Sequence, residues 1–184
     1  QFVLQGQSLD FILPYVCTRL TEIFAYPLVW IGMKETDGTV SISAQAGTQG
    51  KYLKDFKARW QDVPGHECII GFTIRTGKSQ STDTQEPAFQ RCRERACRYG
   101  LHSFLAVPLY SEGTVIGMLN LYDHKTHAFD AETIRLLENL AARISITLLV
   151  ARDQQQLRLH SAAMASVANA VFITDNNGHI IWVN

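Results

Sequence analysis

The sequence predicts an α+β domain in which an antiparallel sheet is flanked by helices and followed by a long C-terminal helix. Two β-hairpins carry this prediction, at about residues 28–46 and 104–122, each turning at an acidic residue followed by glycine. Apolar residues recur at helical spacing before the first hairpin and after the second one. Because hairpins join neighbouring strands, we expect the sheet to be antiparallel.

The first half of the chain alternates helix and strand signals. Helical periodicity covers residues 8–26, where Ser8 is placed to cap the start. The first hairpin follows, and residues 52–60 then place their aromatic side chains on one helical face. We therefore expect a helix, two strands and a second helix in this order.

Two glycines mark the ends of the next helices. A short helix is predicted at 69–75 with its stop at Gly77, and an Arg- and Glu-rich surface helix at 86–99 with its stop at Gly100. Glycine suits these positions because it adopts the left-handed conformation that ends many helices.

The C-terminal third predicts one long helix and a short hairpin. Asp130 is placed to cap the helix, and the apolar stripe that follows consists of Ile134, Leu137, Leu140, Ile144, Leu148 and Ala151. No stop signal occurs before Ser161, so we expect a helix of about 30 residues. Residues 170–184 then read as two short strands around an Asn-Asn-Gly turn.

The composition of the chain excludes several classes of function. The 184 residues are 46% hydrophobic and contain 17 basic and 17 acidic side chains, so there is no overall field to attract nucleic acid or an anionic membrane. The four cysteines are irregularly spaced, and we expect reduced thiols. No apolar run is long enough for a membrane span, and we expect a cytoplasmic protein without direct membrane contact.

Several segments together resemble the GAF domain family. These are the turn Ile74-Arg-Thr-Gly77, the strand Ser79-Gln-Ser-Thr-Asp83, the hairpin segments Gly100–Leu109 and Gly117–Tyr122, and the closing-helix segment Phe129–Glu138. The resemblance covers about residues 8–150 in register. It implies a five-stranded antiparallel sheet in the order 2-1-5-4-3, with the first and last helices on one face.

The end of the chain resembles the start of another sensory domain. Residues 157–184 are similar to the opening helix and first two strands of a PAS domain. We therefore predict a GAF-like domain at 1–150, a signalling helix at 151–166 and the truncated start of a PAS domain at 167–184.

The GAF resemblance also implies a ligand pocket between the sheet and the helices after the second strand. Such pockets are mostly apolar with a few polar anchors. The positions that match are Trp30, Phe72, Asp83, Phe89, Tyr99, His102, Phe104, Asn120 and Tyr122. We expect Asp83, His102 and Asn120 to face the pocket, because buried polar side chains need partners. The ligand is an unknown small molecule, and no cofactor or metal is required.

Cys92 and Cys97 are redox candidates, because the neighbouring arginines favour thiolate chemistry. Their spacing of five residues places them on different helix faces. Cys97 falls where free methionine-(R)-sulfoxide reductases, which are GAF enzymes, carry a catalytic cysteine. This chain has Cys68-Ile-Ile-Gly71 in place of the reductases' Gly-Val-Cys-Gly element, and Arg98 replaces the Asp after the cysteine.

Two other GAF classes match less well. Bilin-binding members carry a Cys-His pair where this chain has Arg91-Cys92, and cyclic-nucleotide members carry an Asn-Lys pair where it has Asn120-Leu121. Neither a bilin nor a cyclic nucleotide is therefore expected.

The resemblance implies a non-catalytic sensory and dimerisation module of a bacterial signal-transduction protein. Its output would be a histidine kinase, as in two-component systems, or a cyclic-di-GMP enzyme. We predict a homodimer through the helix at 130–165, with Leu137, Ala141, Ile144, Leu148 and Ala151 at the seam. The alternatives are a thiol-based enzyme related to the reductases and a ligand-free structural dimer spacer.

Overall fold

The computed structural model of the protein describes residues 9–54, 56–61, 68–165 and 172–183, so the predicted cap at Ser8 lies outside them. The helices are α1 Leu9–Phe24, α2 Ile69–Thr76, α3 Gln90–Arg98 and α4 Ala131–Ala165. The strands are β1 Leu28–Lys34, β2 Thr39–Ala46, β3 Ala58–Arg59, β4 Gln80–Asp83, β5 Ser103–Ser111, β6 Thr114–Asp123, β7 Phe172–Thr174 and β8 Ile180–Val183. The predicted α+β class with a long C-terminal helix is confirmed.

The main sheet has six strands in the order β3-β2-β1-β6-β5-β4, and its neighbouring strands are antiparallel. The prediction of five strands was wrong by one, because the two-residue strand β3 pairs with the start of β2. Without β3, the order of the other five strands is the predicted one.

The helix predicted at 52–60 is the clearest error of secondary structure. The chain forms only a 3-10 turn at Gly50–Leu53 and then enters β3. Tyr52 and Leu53 bury their side chains within that turn. Trp60 N–H then donates to Gly38 O at 3.0 Å, so the backbone pairs with the first hairpin instead of with itself.

The other helix ends follow the sequence signals. Gly77 and Gly100 have φ of 65° and 64°, the left-handed values that favour glycine. The predicted helix at 86–99 starts later, because Pro87 opens a 3-10 turn, Pro87–Phe89, ahead of α3. At α4, Thr133 N–H donates to the Asp130 carboxylate at 2.8 Å, as expected of a cap.

The sheet buries both faces. On one face, α1 and α4 pack against alternate residues of β1, β5 and β6, such as Val29, Leu105 and Leu119. This confirms the predicted cover by the first and last helices. On the other face lies a second layer that includes α2, α3 and the 3-10 turn, and it contains Trp30, Phe104 and Tyr122.

The predicted dimer seam on α4 is largely occupied by the protein's own sheet. Leu137, Ala141, Ile144 and Leu148 are all buried in the α1/α4 layer. Their spacing suits a coiled coil and a sheet-covering helix equally well, since both require one apolar stripe. These four side chains therefore pack within the chain itself, and the homodimer through the helix at 130–165 stays a prediction.

The chain divides into two compact units, residues 1–148 and 149–184. The second unit contains the end of α4 and the antiparallel pair β7–β8. Its turn is closed by the Asp175 carboxylate, which accepts from Asn177 N–H and His179 N–H, each at 2.9 Å. The predicted strands at 170–184 are present as a hairpin in the described residues.

Among the residues that the structure describes, no helix combines the length and the apolar character needed to cross a bilayer.

Gly117→Ala tests how tightly β1 and β6 are joined. A Cβ at Gly117 would lie 2.4 Å from Gly32 O, a backbone atom that cannot rotate away. We expect the substitution to lower the free energy of unfolding by about 1–3 kcal/mol in urea titrations. Gly50→Ala is the matched control, because its nearest contacts are Gln45 side-chain atoms at 3.9 Å. Equal stability of the two variants would contradict the proposed crowding.

Candidate functional site

The candidate site lies in the layer between the sheet and helices α2 and α3. Aromatic rings dominate it: Tyr122 on β6 contacts Phe104 on β5 and Tyr52 of the 3-10 turn, with ring centroids 4.7 Å and 5.1 Å away. Phe89 packs against Phe104 at 5.6 Å. Strand alternation explains the grouping, because residues directly opposite across paired strands share a face of the sheet.

A small cavity lies in this layer. Its volume is ≈ 20 Å³, which is room for about one water molecule. The residues that line it are Phe56, Cys68, Ile69, Ile70, Ala88, Phe89, Cys92, Phe104 and Tyr122. The wall is thus mostly apolar, with two thiols and one phenol as its polar groups.

Two tyrosine hydroxyls meet beside the cavity. Tyr122 donates to the Tyr52 hydroxyl at 3.4 Å, and burial raises the pKa of both side chains above the ordinary tyrosine value. The Arg95 guanidinium lies 5.3 Å from the Tyr52 ring centre and opposes part of that rise. Both phenols are therefore uncharged at neutral pH, and they present hydroxyl groups rather than charge.

Three buried polar atoms in the same layer have no hydrogen-bond partner among the described residues. They are Trp30 Nε1, Asn120 Oδ1 and Thr73 Oγ1. Trp30 and Asn120 are directly opposite each other on β1 and β6, and Thr73 is on α2, which packs on β5 and β6. Since buried polar groups are normally paired, a donor, an acceptor and a hydroxyl are available here for a bound molecule or water.

The structure brings most of the predicted site residues together. Trp30, Phe89, Phe104, Asn120 and Tyr122 are buried in this layer or on its face of the sheet, and Tyr99 packs against it half-buried. His102 is half-buried at the start of β5, where its backbone bonds to Thr84 and Asp123. Phe72 is 47% exposed on α2 and does not belong to the buried group. Periodicity did not reveal this, because α2 is short and its neighbours Ile70, Thr73 and Ile74 take the inner face.

The expectation that Asp83 faces the cavity was wrong. Asp83 pairs with Ser103, whose side chain alternates with Phe104 and so points to the opposite face. Its carboxylate accepts from His127 N–H at 2.9 Å and contacts His127 Nδ1 at 2.9 Å. Asp83 therefore fastens the loop before α4 to the edge strand β4.

Sequence reasoning missed five residues of the cavity wall: Phe56, Cys68, Ile69, Ile70 and Ala88. Cys68 immediately precedes α2, and no spacing pattern ties it to α3 on the far side of the cavity. Of the two predicted redox candidates, Cys92 lines the cavity whereas Cys97 is exposed. The described residues contain no group of three or more His, Cys, Asp or Glu side chains placed to hold a metal ion.

The fold and the site define a class: a domain with a curled antiparallel sheet, helices on both faces and a buried aromatic layer under the short helices. The family model of the GAF domain matches residues 6–149. The chain therefore belongs to the GAF domain family. No curated protein matches the chain.

Solved structures share this fold. A GAF domain from a phosphoenolpyruvate-protein phosphotransferase of Coxiella burnetii is 20% identical with a TM-score of 0.66, covering 83% of this chain and 89% of its own. A domain of a Sinorhizobium meliloti 1021 protein described as a two-component sensor histidine kinase is 15% identical with a TM-score of 0.65, covering 83% and 99%.

A free methionine-R-sulfoxide reductase of Neisseria meningitidis, solved with its substrate, is also similar. It is 19% identical with a TM-score of 0.62, and the match covers 79% of this chain and 80% of the reductase. At such identities these similarities show the fold alone.

Asp83→Ala tests the loop attachment. The Asp83 side chain is only 7% exposed, and its loss leaves His127 N–H without its acceptor. We expect a loss of about 1–3 kcal/mol in the free energy of unfolding, measured by urea titration. His127→Ala is the comparison: it keeps the backbone bond and removes a ring that is 85% exposed, so its effect should be smaller. A larger effect of His127→Ala would refute this assignment.

Proposed function

We propose that this GAF domain is a non-catalytic sensory domain that binds a small molecule in the layer between the sheet and α2/α3. The observation that carries the proposal is the set of unpaired buried atoms, Trp30 Nε1, Asn120 Oδ1 and Thr73 Oγ1, in the layer that also contains an aromatic-walled cavity. A mostly apolar wall with a few convergent polar groups is the usual character of small-molecule sites. With both tyrosines uncharged, the layer suits a neutral molecule that both accepts and donates hydrogen bonds.

The present cavity is too small for such a molecule, so binding requires α2 or α3 to move. α2 is a short helix that supplies Ile69 and Ile70 to the cavity wall. We therefore propose that displacement of α2 is the conformational change that ligand binding causes.

Contacts at the C-terminal end of α2 could carry a movement of α2 to α4, and they support the proposal. Ser79, just beyond α2, donates to the Glu138 carboxylate on α4 at 2.6 Å. The Tyr110 hydroxyl donates to Gly77 O, while Tyr110 N–H donates to the Ser145 hydroxyl on α4 at 2.9 Å. A shift of α2 thus changes two groups that contact α4 directly.

The proposed output follows from the family and from the domain of the Sinorhizobium protein. We propose that α4 passes the signal towards a PAS domain, of which residues 167–184 are the start, and then to a histidine kinase or a cyclic-di-GMP enzyme of a bacterial signalling protein. Proteins with such arrangements use helix rotation or register shifts to carry a signal.

A homodimer through α4 remains part of the proposal, with a corrected seam. Val150, Leu157 and Met164 are 50%, 66% and 39% exposed and recur every seven residues. A seven-residue apolar repeat is the spacing that holds two helices together in a left-handed coiled coil. The partner on this stripe is a second copy of the chain.

A structural spacer without ligand is the second candidate, and one observation favours it. The cavity of ≈ 20 Å³ leaves the layer close to fully packed. A reductase activity is not proposed, because exposed Cys97, the position that matches the reductases' cysteine, is not in the cavity wall.

Native mass spectrometry of protein purified from its own host separates the two candidates. We expect a bound small molecule in the wild type and a roughly ten-fold or greater loss of its occupancy in Asn120→Leu, because a hydrogen-bond anchor is worth about 1–3 kcal/mol. Asn139→Leu makes the same change at an exposed position and should leave occupancy unchanged. A wild type that carries no ligand would favour the spacer.

Sedimentation equilibrium tests the dimer. The wild type should be dimeric at micromolar concentration, and Leu157→Glu should shift it to monomer, since a charge at an apolar seam is costly. Gln155→Glu adds the same charge two residues away, off the seven-residue repeat, and should stay dimeric. A monomeric wild type, or equal dissociation of both variants, would refute the seam.

A further inference from the structure

Two cysteines, one just before α2 and one within α3, line the same cavity. Cys68 is the residue that precedes α2, and Cys92 lies in α3. Both are partly buried, and both belong to the wall of the ≈ 20 Å³ cavity. The two thiols thus belong to one cavity wall.

The tyrosine pair gives a second indication that both thiols lie on the same side of the layer. The hydroxyls of Tyr52 and Tyr122 are 3.4 Å apart. Burial is the main cause that raises the pKa of each tyrosine, and Cys92 and Cys68 both contribute to the rise at each of them. Both cysteines therefore lie within electrostatic range of the same pair of hydroxyl groups.

The other cysteines are excluded from such a pair by position. Cys17 is fully buried in the α1/α4 layer on the opposite face of the sheet, and burial raises the pKa of its thiol to about 12. Cys97 is exposed and lies five residues beyond Cys92 on the same helix. Five residues correspond to a rise of ~7.5 Å along a helix, beyond the Cα separation that a disulfide tolerates.

We propose that Cys68 and Cys92 form a dithiol site that a peroxide converts to an intramolecular disulfide. One thiol attacks the peroxide, the O–O bond breaks, and the products are a sulfenic acid and water or an alcohol. The second thiol then attacks the sulfenic sulfur, the S–S bond forms, and the S–O bond breaks with release of water. The two sulfur atoms lose two electrons in total, and the peroxide accepts them.

The disulfide would join the start of α2 to α3 across the cavity. It would hold together the two helices that must separate to admit a ligand. The site stands independently of ligand binding, because it requires only the two thiols and an oxidant.

The test is hydrogen peroxide treatment of the folded chain, followed by alkylation and peptide mapping without reductant. We expect a Cys68–Cys92 disulfide within one chain, with loss of two hydrogen atoms from the intact mass. Cys97→Ser should form it as the wild type does, whereas Cys68→Ser and Cys92→Ser should not. No disulfide in the wild type, a bond that includes Cys17 or Cys97, or a bond between chains would overturn the proposal.

Phenylarsine oxide provides a second measurement that does not depend on oxidation. It condenses with two neighbouring thiols, forming two As–S bonds and releasing water. We expect one adduct on the wild type and on Cys97→Ser, and its loss in Cys68→Ser, with circular dichroism confirming that each variant is folded. An adduct that persists in Cys68→Ser would refute the pairing.

Discussion

The antiparallel pairing of β1 with β6 is the constraint on which the rest of the structure depends. It joins the β1–β2 hairpin to the β5–β6 hairpin, and β1 thereby bonds to a strand at each of its edges. Gly117 permits this approach, since Gly32 O occupies the space that a Cβ would need. Alternate residues of β1 then enter opposite layers, with Val29 towards α1 and α4 and Trp30 towards the candidate site.

The same pairing sets the chemistry of the site. It places Asn120 directly opposite Trp30, so that an acceptor and a donor without partners among the described residues lie on neighbouring strands. Such groups are costly to bury in a layer that serves only packing. The α1/α4 face contains a continuous apolar cluster instead, so the two faces of one sheet differ in chemistry.

The edge strand β4 and the turn before it connect the two faces of the sheet. β4 receives the loop before α4 through Asp83, and the turn between α2 and β4 reaches α4 through Ser79. Asp83 was predicted as a pocket residue because its position matches the pocket that the GAF resemblance implies, but strand register turned its carboxylate to the other face. A shift of one residue reverses the face of a strand side chain, and sequence alone does not define that register for a four-residue edge strand.

The sequence by itself determined the hairpins, the glycine-ended helices and the long helix from Asp130, because these depend on local periodicity and turn chemistry. The aromatic site residues Trp30, Phe104 and Tyr122 followed only from the resemblance to the GAF family. Only the tertiary structure decided the outcomes that involve distant segments. Residues 58–59 became a strand because β2 offered them backbone partners, and the α4 stripe was buried because the sheet required a cover. Cys68 and Cys92 line one cavity for the same reason: packing on a shared sheet brings both to its wall, and spacing along the chain does not encode it.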